Sequence, residues 1–117
     1  MHRYKELKFW QFSRAFCIDI YKITSSFPEN EKFGLVSQLR RASVSIASNI
    51  AEGASRKSNK DFSRFLTIAL GSCYEIETQL IISNDLNFIS DGDYKSTQEK
   101  LESIIKLMSK FMSTLKY

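Results

Sequence analysis

The sequence predicts an all-α protein: an antiparallel up-down-up-down four-helix bundle forming a single domain over residues 1–117. Three observations carry this. Apolar residues recur at steps of three and four through four long segments, and no stretch alternates as a strand would. One proline and four glycines are too few for a turn-rich β fold. The links between the segments are short, and short links between long helices make sequential helices antiparallel neighbours. A chain of 117 residues buries roughly 60–70% of its unfolded surface, enough for one core.

The first helix is expected from Lys8 to about Ser25. Phe9, Phe12, Phe16, Ile20, Ile23 and Phe27 form its stripe, with Trp10, Cys17 and Tyr21 in a narrower strip beside it. Pro28 stops it, because proline disfavours helical geometry at the residue before it. The second helix begins near Phe33 or Gly34, with Leu35, Leu39, Ala42, Ile46 and Ile50 as its main stripe and Gly53 as its expected C-terminal stop. Ser58-Asn59-Lys60-Asp61 reads as a capping box opening a third helix that runs to about Leu86. Its core arc is Phe62, Phe65, Leu66, Ala69, Leu70, Cys73, Ile76 and Leu80, with Gly71 on the opposite side. Ser90-Asp91-Gly92-Asp93 opens the fourth helix. There Tyr94, Leu101, Met108 and Leu115 recur every seven residues, with Ile104 and Phe111 between them.

The second helix contains the run QLRRASVSIASNIAEG, in which no charge falls between Arg41 and Glu52. Val36, Val44, Ala47 and Ala51 widen its apolar arc to about half the circumference, more than a solitary bundle needs. Burial of apolar surface is worth ~25 cal/mol per Å², so this flank of small side chains is expected to pack against a second subunit. Arg40 falls within the same flank, and a guanidinium there needs a carboxylate. Glu77, inside the apolar arc of the third helix, is the expected partner in a buried ion pair across helices or subunits. Arg41 instead continues the polar arc of Ser45, Ser48 and Glu52.

These residues resemble a known family. QLRRASVSIASNIAEG, with EKFGLVS before it and FSRFLTIALGSCYEIETQL after it, is similar to the four-helix-bundle proteins encoded in intervening sequences of bacterial large-subunit ribosomal RNA. YKELKFWQ and the FP ahead of the second helix fit the same family, so the likeness covers nearly the whole chain. The family usually has proline where this chain has Ala47. The resemblance implies a homopentameric ring. It also extends to the accessory protein of diversity-generating retroelements, a basic pentamer that works with a reverse transcriptase and nucleic acid. It supplies no established activity.

Catalysis finds little support in the residues. The single histidine, His2, sits at an end expected to fray. A di-iron bundle needs two Glu-x-x-His pairs, and nucleophilic triads need a histidine near Ser or Cys. No Gly-rich phosphate loop exists, and Glu75 and Glu77 are spaced wrongly to face one another on a helix. No metal or cofactor is expected. Cys17 and Cys73 are read as reduced packing residues. The N-terminus carries charges where a signal peptide is apolar. The longest uncharged runs have ten residues, against about 20 for a membrane span. The expectation is a cytoplasmic protein with no membrane partner.

The best functional signal is basic. Arg56, Lys57, Lys60 and Arg64 surround only Asp61 around the start of the third helix. With Arg41 they are the residues expected to meet RNA or DNA through phosphates, and a ring would repeat the cluster around one rim. The rival expectation is an adaptor whose ring presents helices to a protein such as a polymerase. A third is a structural product with no strong ligand.

Overall fold

Two serine hydroxyls start half of the bundle. In the computed structural model, which describes residues 2–117, Ser58 Oγ accepts from the Asp61 N–H and Ser90 Oγ from the Asp93 N–H, both at 3.1 Å. These caps open α3 (Asn59–Asp85) and α4 (Asp91–Thr114). The other helices are α1 (Lys8–Thr24) and α2 (Leu35–Ala54), and single 3-10 turns occupy Tyr4–Glu6 and Glu29–Glu31. The Glu31 carboxylate accepts from the Leu35 N–H at 3.2 Å and so caps α2. Asn87, in the left-handed region at φ 61, reverses the chain between α3 and α4. No strand occurs among the described residues.

The helices pack as four sides of a bundle: α1 on α2, α2 on α3, α3 on α4, and α4 back on α1. The long axis measures 45 Å. Phe16, Ile20, Leu39, Ile46, Ile50, Phe62, Leu66, Ile76, Leu80, Leu101, Ile104 and Met108 are almost wholly buried along it.

The stripe on α1 is narrower in apolar residues than its sequence suggests. The inward positions are Phe9, Ser13, Phe16, Ile20 and Thr24, whereas Phe12 is 45% exposed. Ser13 and Thr24 are tolerated inside because each hydroxyl donates back to a carbonyl of its own helix, Phe9 O and Ile20 O, at 2.6 Å.

The uncharged run of α2 is explained mostly within one chain. Its middle is enclosed on three sides. Leu39, Ile46 and Ile50 face the core. Toward α1, Ser43 Oγ donates to Cys17 Sγ at 3.4 Å. Toward α3, Ser45 and Ser72 share a hydrogen bond at 3.0 Å, and Gln79 Nε2 donates to Gln38 Oε1 at 3.3 Å. A long charged side chain on any of these flanks would force the helices apart. Val36, expected on a subunit interface, is buried in the protomer's own core at 8% exposure. Val44 is exposed at 42%, and Ala47 and Ala51 are half-buried. α2 continues unbroken through Ala47.

Gly53 does not end α2, which runs one residue further. Its role is close approach: a Cβ there would lie 2.6 Å from Phe65 Cβ and 2.9 Å from Phe62 Cδ1. Gly71 has open space where its side chain would be. Gly53→Ala is therefore expected to lower stability by about 1–3 kcal/mol through overpacking. Gly71→Ala should raise it by up to ~1 kcal/mol from helix propensity alone. Urea titration of both variants checks the pair; equal shifts would contradict the packing described for α2 and α3.

A candidate nucleic-acid interface

The up-down order gathers three distant pieces of chain at one end of the bundle: the N-terminal residues with the start of α1, the α2–α3 turn, and the end of α4. Contacts between them fix the arrangement. Phe111 of α4 lies 5.1 Å from Phe9 and 5.6 Å from Phe62, ring centre to ring centre. The Asn59 amide donates to Lys116 O at 3.0 Å, and the His2 N–H donates to Ala54 O at 3.2 Å. His2 is thus held against the bundle rather than frayed, its ring 4.8 Å from Phe62.

Charge divides cleanly between the two halves. No ionisable carboxylate, Lys or Arg occurs between Arg14 and Asp19, Arg41 and Glu52, Arg64 and Glu75, or Glu102 and Lys106, so every helix has a charge-free middle. The half with the α2–α3 turn holds eleven of the chain's seventeen basic side chains and three of its thirteen acidic ones, Glu6, Glu52 and Asp61. Its formal charge is +8 and that of the opposite half −4, together giving the chain's +4. Screening acts over about 8 Å at physiological salt, far less than the 45 Å length. An anion at this end therefore meets a strongly basic surface rather than a mildly basic protein.

Within that half the expected cluster is present, but its members differ. Arg56 reaches Glu52 at 3.1 Å and Arg64 reaches Asp61 at 3.8 Å. Both guanidiniums also lie over the Phe65 ring, each 4.7 Å from its centre. The ring holds two cations in place on one side of the turn, at an exposed site where each contact is worth ~0.5–1 kcal/mol. Lys57 and Lys60 are exposed, and neither joins an ion pair among the described residues. Arg3, Lys5, Lys8, Lys110 and Lys116 add to the same end. Sequence spacing could not reveal them, because only the fold brings the termini to the α2–α3 turn.

Arg41 is separate from this cluster. It is exposed in a groove with Tyr21, Lys32, Phe33, Val36, Ser37 and Arg40, in the opposite half. Thirteen residues along α2, about 20 Å, separate it from the end of that helix at Ala54, beyond which Arg56 lies. Arg40 also departs from expectation. Within the chain it makes no ion pair with Glu77. Its Nε donates to Thr24 Oγ1 at 3.0 Å, its Nη2 donates to Tyr21 O at 3.1 Å, and the guanidinium lies 4.6 Å from the Tyr21 ring centre. The Tyr21 carbonyl and the Thr24 hydroxyl at the end of α1 satisfy its donors without a carboxylate, a position for Arg that helix C-termini favour. Glu77 lies near Cys73, whose thiol is pushed up to about 12, first by burial and then by that carboxylate.

One apolar surface was missed at the level of sequence. α3 leaves Ile68, Tyr74, Ile81 and Ile82 about half exposed, in addition to Leu86 just beyond its end. The seven-residue spacings Ile68–Glu75–Ile82 and Tyr74–Ile81 were the available signal, hidden by the stronger core arc. A second apolar surface lies between α1 and α2, an open groove of about 570 Å³ lined by Cys17, Ile18, Tyr21, Lys22, Ser25 and Val44.

Residues 5–110 match the family of the 23S rRNA-intervening sequence protein. A similar solved structure is that of a protein of unknown function from the S23 ribosomal protein family of Bacteroides thetaiotaomicron. It is 28% identical, with a TM-score of 0.82 over 91% of this chain and 99% of that one. No curated protein matches.

Because Arg40 ties α2 to the end of α1, Arg40→Ala should cost about 1–2 kcal/mol, the range for a partly exposed charged donor losing two hydrogen bonds. Glu77→Gln should stay within ~0.5 kcal/mol, as substitutions away from such features do. Chemical denaturation of the two variants measures both; a large loss in Glu77→Gln would restore the ion pair.

Proposed function

The chain belongs to the 23S rRNA-intervening sequence protein family, and from that premise we propose that it is a non-enzymatic bundle that assembles with its own copies into a ring and holds RNA or DNA by backbone phosphates at its basic end. The observation that carries the reading is the segregation of charge, +8 in one half against −4 in the other. Phosphate binding releases counterions and so grows with the number of cations presented together. A bundle that collects them at one end is built for that term.

Two apolar surfaces support the ring. They differ from each other, so their union is heterologous, and such contacts close into rings when the rotation allows. They are also complementary. After Arg64, α3 exposes Glu75 and Asp85 and has no Lys or Arg, while Lys22 lines the α1–α2 groove and Arg14 and Arg41 lie about one helical turn from it along α1 and α2. Both surfaces centre on the same height of the bundle, from its middle toward the less basic half. A copy whose α3 seats in the groove therefore stays level with its neighbour and points the same way. Every basic end then lies on one rim. In this proposal Val44, which lines the groove, is an interface residue together with Ala47 and Ala51 further along α2.

The exposed α3 face also favours a second reading, an adaptor that offers this helix to another protein such as a polymerase. A cytoplasmic location belongs to both readings. By length and composition α3 could cross a membrane, but its inner face supplies Phe62, Leu66, Ala69, Cys73, Ile76 and Leu80 to the core. A bundle helix with a second face covered by a copy has the same composition.

Two measurements test the proposal. Fluorescence anisotropy with mixed-sequence RNA and DNA should give an affinity that falls steeply with salt. Arg56→Ala/Lys57→Ala/Lys60→Ala should flatten the log–log slope by about 2–3, with Arg41→Ala much less affected; an unchanged slope in the triple variant removes the cluster from the interface. Light scattering should give a multiple of the 13.5 kDa chain mass. Ile82→Glu and Val44→Glu, each blocking one surface, should both be monomeric alone and dimerise when mixed. A 13.5 kDa species for the unaltered chain at micromolar concentration would end the ring.

A further inference from the structure

The basic end holds a cavity that phosphate contacts alone do not explain. It measures about 430 Å³ and is lined by His2, Arg3, Tyr4, Lys5, Glu6 and Ser55. That volume is in the range of small-ligand sites, which are mostly apolar with a few fixed polar groups. Here the 3-10 turn Tyr4–Glu6 crosses the end of α2 and forms the wall. The wall is fastened at both ends: the Gln11 amide donates to Lys5 O at 2.8 Å, and the His2 N–H is bonded to Ala54 O. Tyr4 is half-buried, with its ring set edge-on to Trp10 at 5.1 Å. The imidazole of His2 is held between Phe62 and Phe111. Two aromatic rings are thus fixed beside an opening that Arg3 and Lys5 line from one side and Ser55, the neighbour of Arg56 in the chain, from the other.

We propose that this cavity takes an unpaired nucleobase, so that the basic end prefers single-stranded nucleic acid to a duplex. The inference rests on the phosphate-binding reading above and names its ligand more narrowly. A base is flat, apolar on its faces and polar at its edge. It gains ~1–3 kcal/mol by stacking on an aromatic side chain, and a base held in a duplex cannot leave its stack without cost. Arg3 and Lys5 line the opening and suit the phosphates on either side of the inserted base. Glu6, paired with Arg3 at 3.6 Å, is the one carboxylate on the rim. It would repel a phosphate and accept from the amino edge of adenine, cytosine or guanine, as carboxylates do.

The test uses the full chain with a labelled 12-nucleotide single-stranded RNA, the same sequence as DNA, and the blunt duplex of each. At about 150 mM salt at least one single strand should bind ~10-fold or more tightly than its duplex. Tyr4→Ala should weaken the single strand by ~5–100-fold and leave the duplex within about twofold, whereas Tyr4→Phe should behave as the parent; circular dichroism shows whether the variants keep the bundle. Emission from Trp10, the sole tryptophan, should change on adding the single strand. A preference for either strand over its duplex supports the site, and the preferred sugar identifies what fills it. Equal affinities for strand and duplex, with Tyr4→Ala moving both or neither, overturn the cavity while leaving phosphate binding intact. Binding of no form overturns both.

Discussion

The structure depends on how closely α2 and α3 approach. Gly53 lies against the Phe62 and Phe65 side chains with no room for a methyl group, and Ser45 meets Ser72 directly. This approach brings the end of α2 and the start of α3 together across only four residues, Ser55–Ser58. The same contact seats Phe65 under Arg56 and Arg64 and offers Ala54 O to His2. The basic turn and the N-terminal wall of the cavity are thus downstream of one glycine and a run of small side chains. Absence of charge from Arg41 to Glu52 is the condition for this packing before it is a property of any outer surface.

How much of this could be read from the sequence divides along physical lines. Helix number, order and the serine caps of α3 and α4 were legible, because they depend on local periodicity and on serines three residues ahead of an acid. The core of α3 and α4 was legible for the same reason. What failed were positions decided by a neighbour. Phe12 has the spacing of a core residue, yet Ser13 takes the inward place, where its hydroxyl is satisfied on its own helix. Val36 lies on the flank of α2 that the bundle itself covers. Arg40 was assigned a carboxylate because a helical wheel shows side chains only; the open carbonyls at the end of α1 do not appear on it.

The candidate site was half legible. Arg56, Lys57, Lys60 and Arg64 are neighbours in sequence and stand out. The rest of the basic half comes from both termini and from two other helices, so no window of sequence contains it. The charge-free middle of each helix is visible in the sequence, but it becomes a boundary only when antiparallel packing brings the four middles to the same level. Arg41 shows the converse. It is basic and near the others along the chain, but it falls beyond that boundary and sits in a different electrostatic surrounding.

In the proposed ring, charge segregation would couple assembly to ligand. If copies stand level in a ring, their +8 halves lie side by side on one rim, and the like-charge repulsion opposes the apolar contact between α3 and the α1–α2 groove. A single bundle escapes that repulsion but offers a smaller basic surface. A bound polyanion removes it and spans several subunits at once, so each subunit added raises the affinity for the polyanion and the polyanion favours each addition. Linkage makes this coupling equal in both directions. The acidic half relieves part of the strain, because Glu75 and Asp85 on α3 face basic borders of the next groove. In this arrangement the −4 half holds the ring together and the +8 half holds the ligand, and the sharp boundary between them keeps the two tasks from cancelling.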